Sequence, residues 1–247
     1  MQHKDKTCLV IGGTHGIGLA IAKKLAAEGA KKVMICSRKL SSLTAALEMN
    51  ENFVGTTCNV SDQNDILRLV EFVKNELKDS SLDILVSNVG VDPVAGKILD
   101  ATEAVFDKIF NTNVKAAWMV LKLTRSLMKP GSSILLVSSI GGLQPSFPSG
   151  LYGASKSTLI SLGRALASEL GPDGIRINVI CPGLVKTRMS EAFWKGPYGK
   201  IAEENLFLRR LGEPDDVASV GSFLLSNAAG WMTGEAIVVS GGTHTRL

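Results

Sequence analysis

Residues 8–25 read CLVIGGTHGIGLAIAKKL, and this stretch decides the fold of the chain. Its first four residues are apolar, as in a strand that is buried on both faces of a sheet. Glycines occupy positions 12, 13, 16 and 18, and the residues after them have the spacing of an amphipathic helix. Such a turn lets the backbone approach a phosphate closely, and the helix start offers unpaired amide groups to it. We therefore predict that Gly12, Gly16, Ile17 and Gly18 bind a dinucleotide; the alternative is a turn without a ligand.

Short apolar runs alternate with longer helical patterns over the rest of the chain. This alternation predicts an α/β fold of the Rossmann type, in which a doubly wound parallel sheet carries helices on both faces. No linker or change of composition divides the chain, so residues 1–247 are predicted to form a single domain. The predicted strands span residues 6–12, 32–37, 83–87, 132–138, 175–181 and 235–239, and the predicted helices span residues 17–29, 41–48, 62–78, 102–128, 151–170 and 214–226.

Residues 184–212 interrupt this alternation with a group of large apolar side chains. The segment follows the strand 175–181 at its carboxyl end, where ligands of open parallel sheets bind. We predict that it is a substrate lid; the alternative is a contact between subunits. Its large apolar side chains are Met189, Phe193, Trp194, Tyr198 and Phe207.

The composition excludes several classes of protein. The net charge of +4 comes from Lys and Arg residues that are scattered among acids, which favours a solvated surface over a nucleic-acid interface. No apolar run approaches the length of a membrane span, and residues 1–6 lack the features of a secretory signal, so we expect synthesis in the cytosol. The cysteines at positions 8, 36, 58 and 181 form no Cys-x-x-Cys pair, and we predict neither a disulfide nor a metal site.

Tyr152 and Lys156 describe a proton-transfer site. Residues four apart lie on one face of a helix, and an ammonium group beside a phenol is expected to lower the pKa of that phenol. A phenol with a lowered pKa exchanges a proton readily with an alcohol or a carbonyl oxygen. Ser139, thirteen positions before Tyr152, completes the candidate site. The pair alone has little specificity, since chance pairs of this kind occur on many solvated helices.

These segments, taken with others, resemble the classical branch of the short-chain dehydrogenase/reductase family over nearly the whole chain. The matching pieces are Gly12, Gly16 and Gly18, Asn88-Val89-Gly90, Asn113, Ser139, Tyr152 with Lys156, and Pro182-Gly183 after a strand. Segments 184–187, 208–214 and 241–247 resemble the peroxisomal NADPH-dependent carbonyl and retinal reductase group of that family. The resemblance also implies a seventh strand at residues 53–58, which show no alternation of their own.

The resemblance implies a role for each catalytic residue. Tyr152 would give its proton to the substrate oxygen as hydride leaves the B side of the nicotinamide, and Ser139 would hold that oxygen. Lys156 would lower the pKa of Tyr152 and bind the ribose hydroxyls, and Asn113 would hold a helix kink and a water molecule that relays protons. The alternatives are that Ser138 or Ser139 caps the end of a strand and that Asn113 is an ordinary polar residue of a helix.

The cofactor is predicted to be NADPH or NADP+. Ser37, Arg38 and Lys39 follow the second strand, where an NAD enzyme usually has an acid, and the Arg38 guanidinium can grip the additional phosphate. His15 is a further candidate at the glycine turn. The resemblance adds further cofactor-binding residues, with Asn59 in the place of the family's Asp: Asn59, Val60, Asn88, Gly90, Tyr152, Lys156, Pro182, Gly183, Val185 and Thr187. The chain departs from the family at Ile11, where a threonine is common, and at Ser87 and Val89.

The substrate pocket is predicted to be apolar, with residues 91–94, 141–147 and 184–207 as its lining. Aromatic ketones, α-dicarbonyls, quinones, steroids and retinal all fit that description. One alternative is a 3-oxoacyl-thioester reductase, for which surface Arg125 and Lys129 would bind an acyl carrier. Another is an NADPH-binding regulatory protein without turnover.

Assembly and location are predicted by resemblance. Similar proteins form tetramers, and we expect a homotetramer through helices 102–128 and 151–170. The small or apolar residues Ala116, Ala117, Ala165 and Leu166 would permit close approach of subunits, or would pack on the sheet. Thr245-Arg246-Leu247 resembles the tripeptide that peroxisomal import receptors read, which predicts a peroxisomal rather than a cytoplasmic location. The alternative is a tail that folds against a neighbouring subunit.

Overall fold

The computed structural model describes residues 1–92 and 96–243, without the side chain of Tyr198. The predicted lining residue Val94 and the tripeptide 245–247 lie outside the described residues.

Seven strands of the described residues form one parallel sheet. The order across the sheet is β3-β2-β1-β4-β5-β6-β7, so the winding reverses between β1 and β4. This reversal is the switch point at which open α/β sheets bind ligands. The predicted doubly wound fold is confirmed. This includes the third strand, which only the family resemblance had predicted. The strands are β1 (Thr7–Ile11), β2 (Lys32–Ser37), β3 (Phe53–Thr57), β4 (Ile84–Ser87), β5 (Ser133–Val137), β6 (Arg176–Pro182) and β7 (Ala236–Val239).

Helices cover both faces of the sheet and bury two separate hydrophobic cores. The helices of residues 63–77, 116–124 and 150–170 pack on one face, and those of residues 16–27, 40–47 and 214–225 pack on the other. Alternate residues of β1 point to opposite faces, so Leu9 joins the first core and Val10 joins the second. The helices are α1 (Gly16–Ala27), α2 (Leu40–Leu47), α3 (Gln63–Leu77), α4 (Glu103–Phe110), α5 (Ala116–Thr124), α6 (Ile140–Leu143), α7 (Gly150–Leu170), α8 (Glu191–Trp194), α9 (Pro197–Asn205) and α10 (Pro214–Leu225). Within the described ranges, no helix is both long enough and apolar enough to span a bilayer.

The predicted helix 102–128 is interrupted in the structure. A π-helical turn, Asn111–Lys115, separates α4 from α5, and a 3-10 turn, Arg125–Leu127, ends the segment. A π-turn inside an α-helix bends it and often marks a functional site. Asn113 lies within this π-helical turn, where the resemblance placed a kink.

The small residues that were considered for a subunit contact lie in two different environments. Ala116 and Ala117 are each only 2% exposed and belong to the core between α5 and the sheet. Their role is packing on the sheet, and an interface role for these two residues is wrong because they are not accessible. Ala165 is exposed and Leu166 is partly buried.

Residues 184–212 form an excursion between β6 and α10 that is closed at its base. Val185 pairs with Gly212 in an isolated bridge. The Lys186 amide donates to the Gly212 carbonyl at 2.8 Å, and the Gly212 amide donates to the Leu184 carbonyl at 3.0 Å. The bridge holds the two ends of the excursion together beside the carboxyl end of β6, and α8 and α9 lie within it.

Candidate active site

The candidate site lies along the carboxyl edge of the sheet, at the switch point. Strands β4, β5 and β6 end there, and the first turns of α7 bring Tyr152 and Lys156 to the same edge. A cavity of about 340 Å³ opens between these elements and the excursion 184–212. Its lining includes ten of the predicted site residues: Ile17, Asn88, Gly90, Ser139, Tyr152, Lys156, Pro182, Gly183, Val185 and Thr187.

The glycine turn between β1 and α1 is a close-fitting backbone cradle. Gly12 and Gly16 have φ values of +74° and +51°, which favour glycine. A Cβ atom on Gly18 would lie 2.3 Å from the Gly12 carbonyl oxygen, so a side chain at position 18 would displace the turn. Asn88 Nδ2 donates to the same oxygen at 3.3 Å and ties the turn to the end of β4. His15 precedes α1 without a side-chain cap, so the first amides of this helix remain available to an anion.

The residues expected at the adenosine end lie beside this turn and outside the cavity. Ile11 pairs with Cys36, so the glycine turn and residues 37–39 leave the sheet side by side. Arg38 and Lys39 are exposed to solvent, as is His15. Asn59 is also exposed, and its amide donates to an Asp65 carboxylate oxygen at 2.7 Å. Val60 is 6% exposed and packs in the core, and its contact with a cofactor remains a prediction.

Lys156 is a buried ammonium group with a fixed orientation. It is 3% exposed, and its Nζ donates to the Val137 carbonyl at 2.9 Å. Burial lowers the pKa of Lys156 to about 8. A Cβ atom on Gly90 would lie 3.2 Å from this Nζ, which explains why glycine follows Asn88 and Val89.

Tyr152 does not have the lowered pKa that its spacing from Lys156 suggested. Burial raises the pKa of the phenol to about 12; a hydrogen bond with Ser139 opposes this effect and the charge of Asp92 adds to it. Lys156 Nζ lies 5.7 Å from the centre of the Tyr152 ring and is directed to Val137 instead. The expectation of a lowered pKa is therefore wrong for the free chain, because burial outweighs the neighbouring charge. At neutral pH the phenol carries its proton.

Ser138 and Ser139 have different tasks. Ser138 is 3% exposed, and its hydroxyl donates to the Lys156 carbonyl at 2.8 Å, so it joins β5 to α7. Ser139 precedes α6, and its Oγ accepts from the Gly141 amide at 3.1 Å while the hydroxyl also interacts with Tyr152. Ser139 thus caps α6 and also faces the phenol, so a capping role and a role beside Tyr152 are compatible.

Asn113 supports the site from beneath. It is fully buried in the π-helical turn. Its Oδ1 accepts from the Val91 amide at 2.8 Å, and its Nδ2 donates to the Val91 carbonyl at 3.1 Å and to Ser155 Oγ at 2.9 Å. The Ser155 hydroxyl donates in turn to the Tyr152 carbonyl at 2.7 Å. Asn113 therefore fixes the loop after β4 relative to α7, and its expected water molecule remains a prediction.

The residues expected around a nicotinamide lie at the base of the excursion. A Cβ atom on Gly183 would lie 2.8 Å from Ser240 Cα, so the backbone passes close to the end of β7 there. The Thr187 methyl group lies 3.1 Å from the position that a Cβ on Gly16 would take. Trp194 Nε1 donates to the Thr187 carbonyl at 2.9 Å. The excursion is thus anchored directly over the glycine turn.

Proteins of known family match this chain over nearly its whole length. Dehydrogenase/reductase SDR family member 4 of Sus scrofa is 44% identical over 252 residues, covering 99% of this chain and 89% of that protein. The Homo sapiens protein of the same name is 41% identical, covering 98% of this chain and 89% of that protein. The chain belongs to the short-chain dehydrogenase/reductase family.

A family model and solved structures agree with this assignment. A model described as enoyl-(acyl carrier protein) reductase matches residues 12–244. The structure of a blue fluorescent protein from a metagenomic library in complex with NADPH has a TM-score of 0.91 and 29% identity, covering 99% of this chain and all of that chain. A short-chain dehydrogenase from Burkholderia cenocepacia in complex with NADP has a TM-score of 0.88 and 29% identity, covering 98% of this chain and 99% of that chain. As a short-chain dehydrogenase/reductase, this chain is an oxidoreductase that uses a nicotinamide cofactor.

One residue of the predicted lining segment 91–94 of this short-chain dehydrogenase/reductase was given no role of its own by the sequence analysis. Asp92 follows the loop that Asn113 fixes, and its side chain lines the cavity beside Tyr152. Burial raises the pKa of its carboxyl group, and a hydrogen bond with Ser149 opposes that effect. The predicted lining, apolar with few charges, therefore includes a carboxyl group at this position. The signal in the sequence was an acidic residue within the otherwise apolar segment 91–94.

Proposed function

We propose that this chain is an NADPH-dependent reductase that transfers hydride to the carbonyl carbon of a mainly apolar substrate. Aromatic ketones, α-dicarbonyls, quinones and retinal are the substrate classes. The observation that carries the proposal is geometric: Tyr152, Ser139 and the buried Lys156 line one cavity at the carboxyl edge of the sheet. The Tyr152 phenol is protonated at neutral pH, so it holds the proton that the reduced carbonyl oxygen needs.

The residues of the chain divide the reaction between binding and proton transfer. The glycine cradle and the open amides of α1 fit a pyrophosphate, and bound NADPH supplies the hydride. Ser139 donates a hydrogen bond to the substrate oxygen and orients it toward Tyr152. Tyr152 gives its proton to that oxygen as the carbonyl carbon receives the hydride, so that the alcohol and NADP+ are formed.

Lys156 and the base of the excursion hold the nicotinamide half in this proposal. Lys156 donates to the ribose hydroxyls and stabilises the Tyr152 phenolate after proton transfer. Thr187 binds the carboxamide, and Pro182, Gly183 and Val185 form the wall behind the ring. Asn113 acts through its hydrogen bonds to Val91 and Ser155, which hold the loop after β4 in a fixed position relative to α7.

The choice of NADPH over NADH rests on Arg38, which is exposed at the end of β2 and follows the strand directly. We expect Arg38→Glu to raise the KM for NADPH by about 10- to 100-fold, because a charge-assisted bond to the phosphate is replaced by repulsion. The KM for NADH should change by less than about threefold, which is the size of effect that a surface substitution without a direct contact typically has. Steady-state kinetics with both cofactors measures this.

Lys31→Glu is the matched control for that measurement. Lys31 is exposed at the opposite end of the same strand, so the variant makes the same change of charge away from the cofactor. A similar rise in the KM for NADPH with Lys31→Glu would show that net charge, rather than Arg38, sets the preference. An unchanged KM for NADPH with Arg38→Glu would remove Arg38 from the cofactor site.

The apolar substrate classes follow from the lining of the cavity. Ile17, Ile140, Leu184, Met189 and Phe193 contribute apolar side chains. The predicted lining residues Leu143 and Phe147 are exposed and do not line the cavity. A panel of a diketone, an aromatic ketone, a quinone, retinal and an acetoacetyl thioester tests the proposal through the rate of NADPH oxidation. Turnover of at least one carbonyl compound supports it. Tight binding of NADPH without turnover of any would favour the regulatory alternative.

The positions of Arg125 and Lys129 argue against the alternative of a 3-oxoacyl-thioester reductase. Arg125 and Lys129 precede β5, so they lie at the amino edge of the sheet, whereas Ser139 follows β5 at the carboxyl edge. Arg125 pairs with Asp173, and Lys129 lies 3.7 Å from Asp83. A carrier bound at these two residues would be at the wrong end of the sheet to deliver an acyl chain to Tyr152.

We propose a homotetramer through the faces of α4, α5 and α7. Phe106 and Trp118 support this proposal, because 45% and 41% of their surfaces are exposed on α4 and α5. Sedimentation of the purified protein at four times the mass of the chain would agree with it, and a monomer would refute it.

We propose a peroxisomal location on the strength of residues 245–247. A fluorescent reporter that ends in residues 236–247 should collect in peroxisomes when it is expressed in cells, and a variant with Leu247→Ala should not. A diffuse signal from the first reporter would refute the proposal.

A further inference from the structure

Asp92 lines the substrate cavity and carries a buried hydrogen-bond acceptor that is unsatisfied. Among the described residues, its Oδ1 is the one buried side-chain nitrogen or oxygen atom without a hydrogen-bond partner. Buried polar atoms are satisfied in the great majority of cases, and an exception of this kind calls for a ligand or a function. The exception here lies on the wall of a cavity that is otherwise built to bind a substrate.

We infer that Asp92 selects carbonyl substrates that carry a hydrogen-bond donor, an amine or a hydroxyl group, beside the reacting carbonyl. This inference rests on the proposed reductase activity and narrows its substrate class. The rest of the lining remains apolar, so the substrate is an amino ketone or a hydroxy ketone with an apolar body.

Asp92 Oδ1 is buried as well as unpartnered, so a substrate donor meets it when the carboxyl group turns toward the cavity. Ser149 provides a hydrogen bond to the carboxyl group, but no described residue reaches Oδ1. Apart from Asp92, the ionisable residues that line the cavity are Tyr152 and Lys156. The Lys156 ammonium is already bound to the Val137 carbonyl. A donor on the substrate would therefore replace the hydrogen bond that the folded chain lacks.

The shared cavity indicates where that donor lies. Asp92, Ser139 and Tyr152 line the same cavity, so one small substrate can contact the carboxyl group and the two hydroxyl groups together. A donor attached to the carbon next to the carbonyl would be close to Asp92 while the carbonyl oxygen meets Tyr152 and Ser139. An ammonium group gains more than a hydroxyl group, because it also pairs with the negative charge.

Three ketones of equal size test the inference. In 2-amino-1-phenylethanone, 2-hydroxy-1-phenylethanone and 1-phenyl-1-propanone, an ammonium, a hydroxyl or a methyl group occupies the same place. We expect kcat/KM for the amino ketone to exceed that for 1-phenyl-1-propanone by about 10- to 100-fold, the range of a hydrogen bond to a charged group. The hydroxy ketone should lie between them. A mildly acidic buffer keeps the amine protonated and slows its self-condensation.

Two variants of Asp92 separate charge from hydrogen bonding. Asp92→Asn removes the charge but keeps an acceptor, so the preference for the amino ketone should fall to about that for the hydroxy ketone. Asp92→Leu removes both, and the ratio of kcat/KM for the amino ketone to that for 1-phenyl-1-propanone should fall by about 10- to 100-fold from its value in the unmodified chain. The ratio between substrates within one variant is the readout, so a general loss of activity does not affect it.

Asp100→Asn is the control for long-range electrostatics. Asp100 is exposed in the loop before α4 and does not line the cavity, so the substrate ratios of this variant should match those of the unmodified chain. An equal loss of preference with Asp100→Asn would show that net charge, and not the Asp92 carboxylate, selects the substrate.

The experiments give different results if this inference fails and if the proposed reductase function fails. Turnover of all three ketones with no preference, or with a preference that Asp92→Leu retains, would overturn the role of Asp92 and leave the reductase activity standing. Absence of turnover with every ketone would count against the reductase activity. In that case, calorimetric binding of the three ketones to the NADP+-saturated protein still tests the role of Asp92 in substrate selection. Equal affinities for the three ketones would overturn that role.

Discussion

Replacing Tyr152 with phenylalanine is expected to lower kcat/KM for carbonyl reduction by about 10²- to 10⁴-fold, the contribution typical of a general acid. The substitution removes one hydroxyl group and leaves the ring, so the packing of α7 is kept. The proton would then have to come from water, which has no fixed position toward the substrate oxygen. Initial rates of NADPH oxidation with the best ketone of the panel measure the loss.

Two controls connect that loss to proton transfer. The affinity of Tyr152→Phe for NADPH should remain within about tenfold of that of the unmodified chain, because one hydrogen bond at most is lost while the glycine cradle and Arg38 are intact. Thr158→Val removes a hydroxyl group from an exposed position of the same helix, outside the cavity lining, and should lower kcat/KM by less than about tenfold. Retention of a tenth or more of the activity in Tyr152→Phe would remove Tyr152 as the acid.

Replacing Lys156 with methionine should lower activity and raise stability in the same variant. Loss of the ammonium group removes the stabilisation of the Tyr152 phenolate, so we expect kcat/KM to fall by at least about 10²-fold. The free chain, in contrast, holds an ammonium group that is 3% exposed and bound to one carbonyl oxygen. The lowering of its pKa from 10.5 to about 8 corresponds to a destabilisation of roughly 3 kcal/mol at neutral pH.

The gain in stability depends on pH, and its sign follows from proton binding. Between pH of about 8 and 10.5 the unfolded chain binds more protons at Lys156 than the folded chain does, so this group makes the free energy of unfolding rise with pH. Lys156→Met lacks this contribution. At pH 7 the variant should be more stable by about 1–3 kcal/mol, since the Val137 carbonyl loses a donor worth about 1 kcal/mol.

Denaturant unfolding at pH 7 and pH 10 measures both effects without cofactor. The difference between variant and unmodified chain should be large at pH 7 and should shrink at pH 10. A variant that is less stable at pH 7 would show that the ammonium group contributes to folding, and would contradict its placement as a strained functional group.

Local patterns predicted most of the fold and most of the site. The strand, glycine turn and helix of residues 8–25 depend on neighbouring residues, so the sequence alone was sufficient. Tyr152 and Lys156 share one face of α7 for the same reason. The kink at Asn113 was predicted by resemblance, and its physical basis, the bonds to Val91 and Ser155, is visible only in the folded chain.

The failures of the sequence analysis concern properties that depend on tertiary packing. The pKa of Tyr152 is set by burial, which the spacing to Lys156 does not reveal. Ala116 and Ala117 suited either a subunit contact or the sheet, and the rotation of α5 placed them on the sheet. Asp92 stood among apolar neighbours in the sequence, and only the folded loop after β4 shows that its carboxylate faces the cavity.

Transfer of deuterium from labelled NADPH tests the central claim most directly. NADPH carrying deuterium on the B side of C4 is incubated with the protein and the best ketone, and the alcohol is analysed by mass spectrometry; the A-side label serves as the control. The account predicts one deuterium on the carbinol carbon from the B-side label and none from the A-side label. Unlabelled alcohol from both cofactors, or no alcohol at all, would contradict hydride transfer to a carbonyl in this cavity.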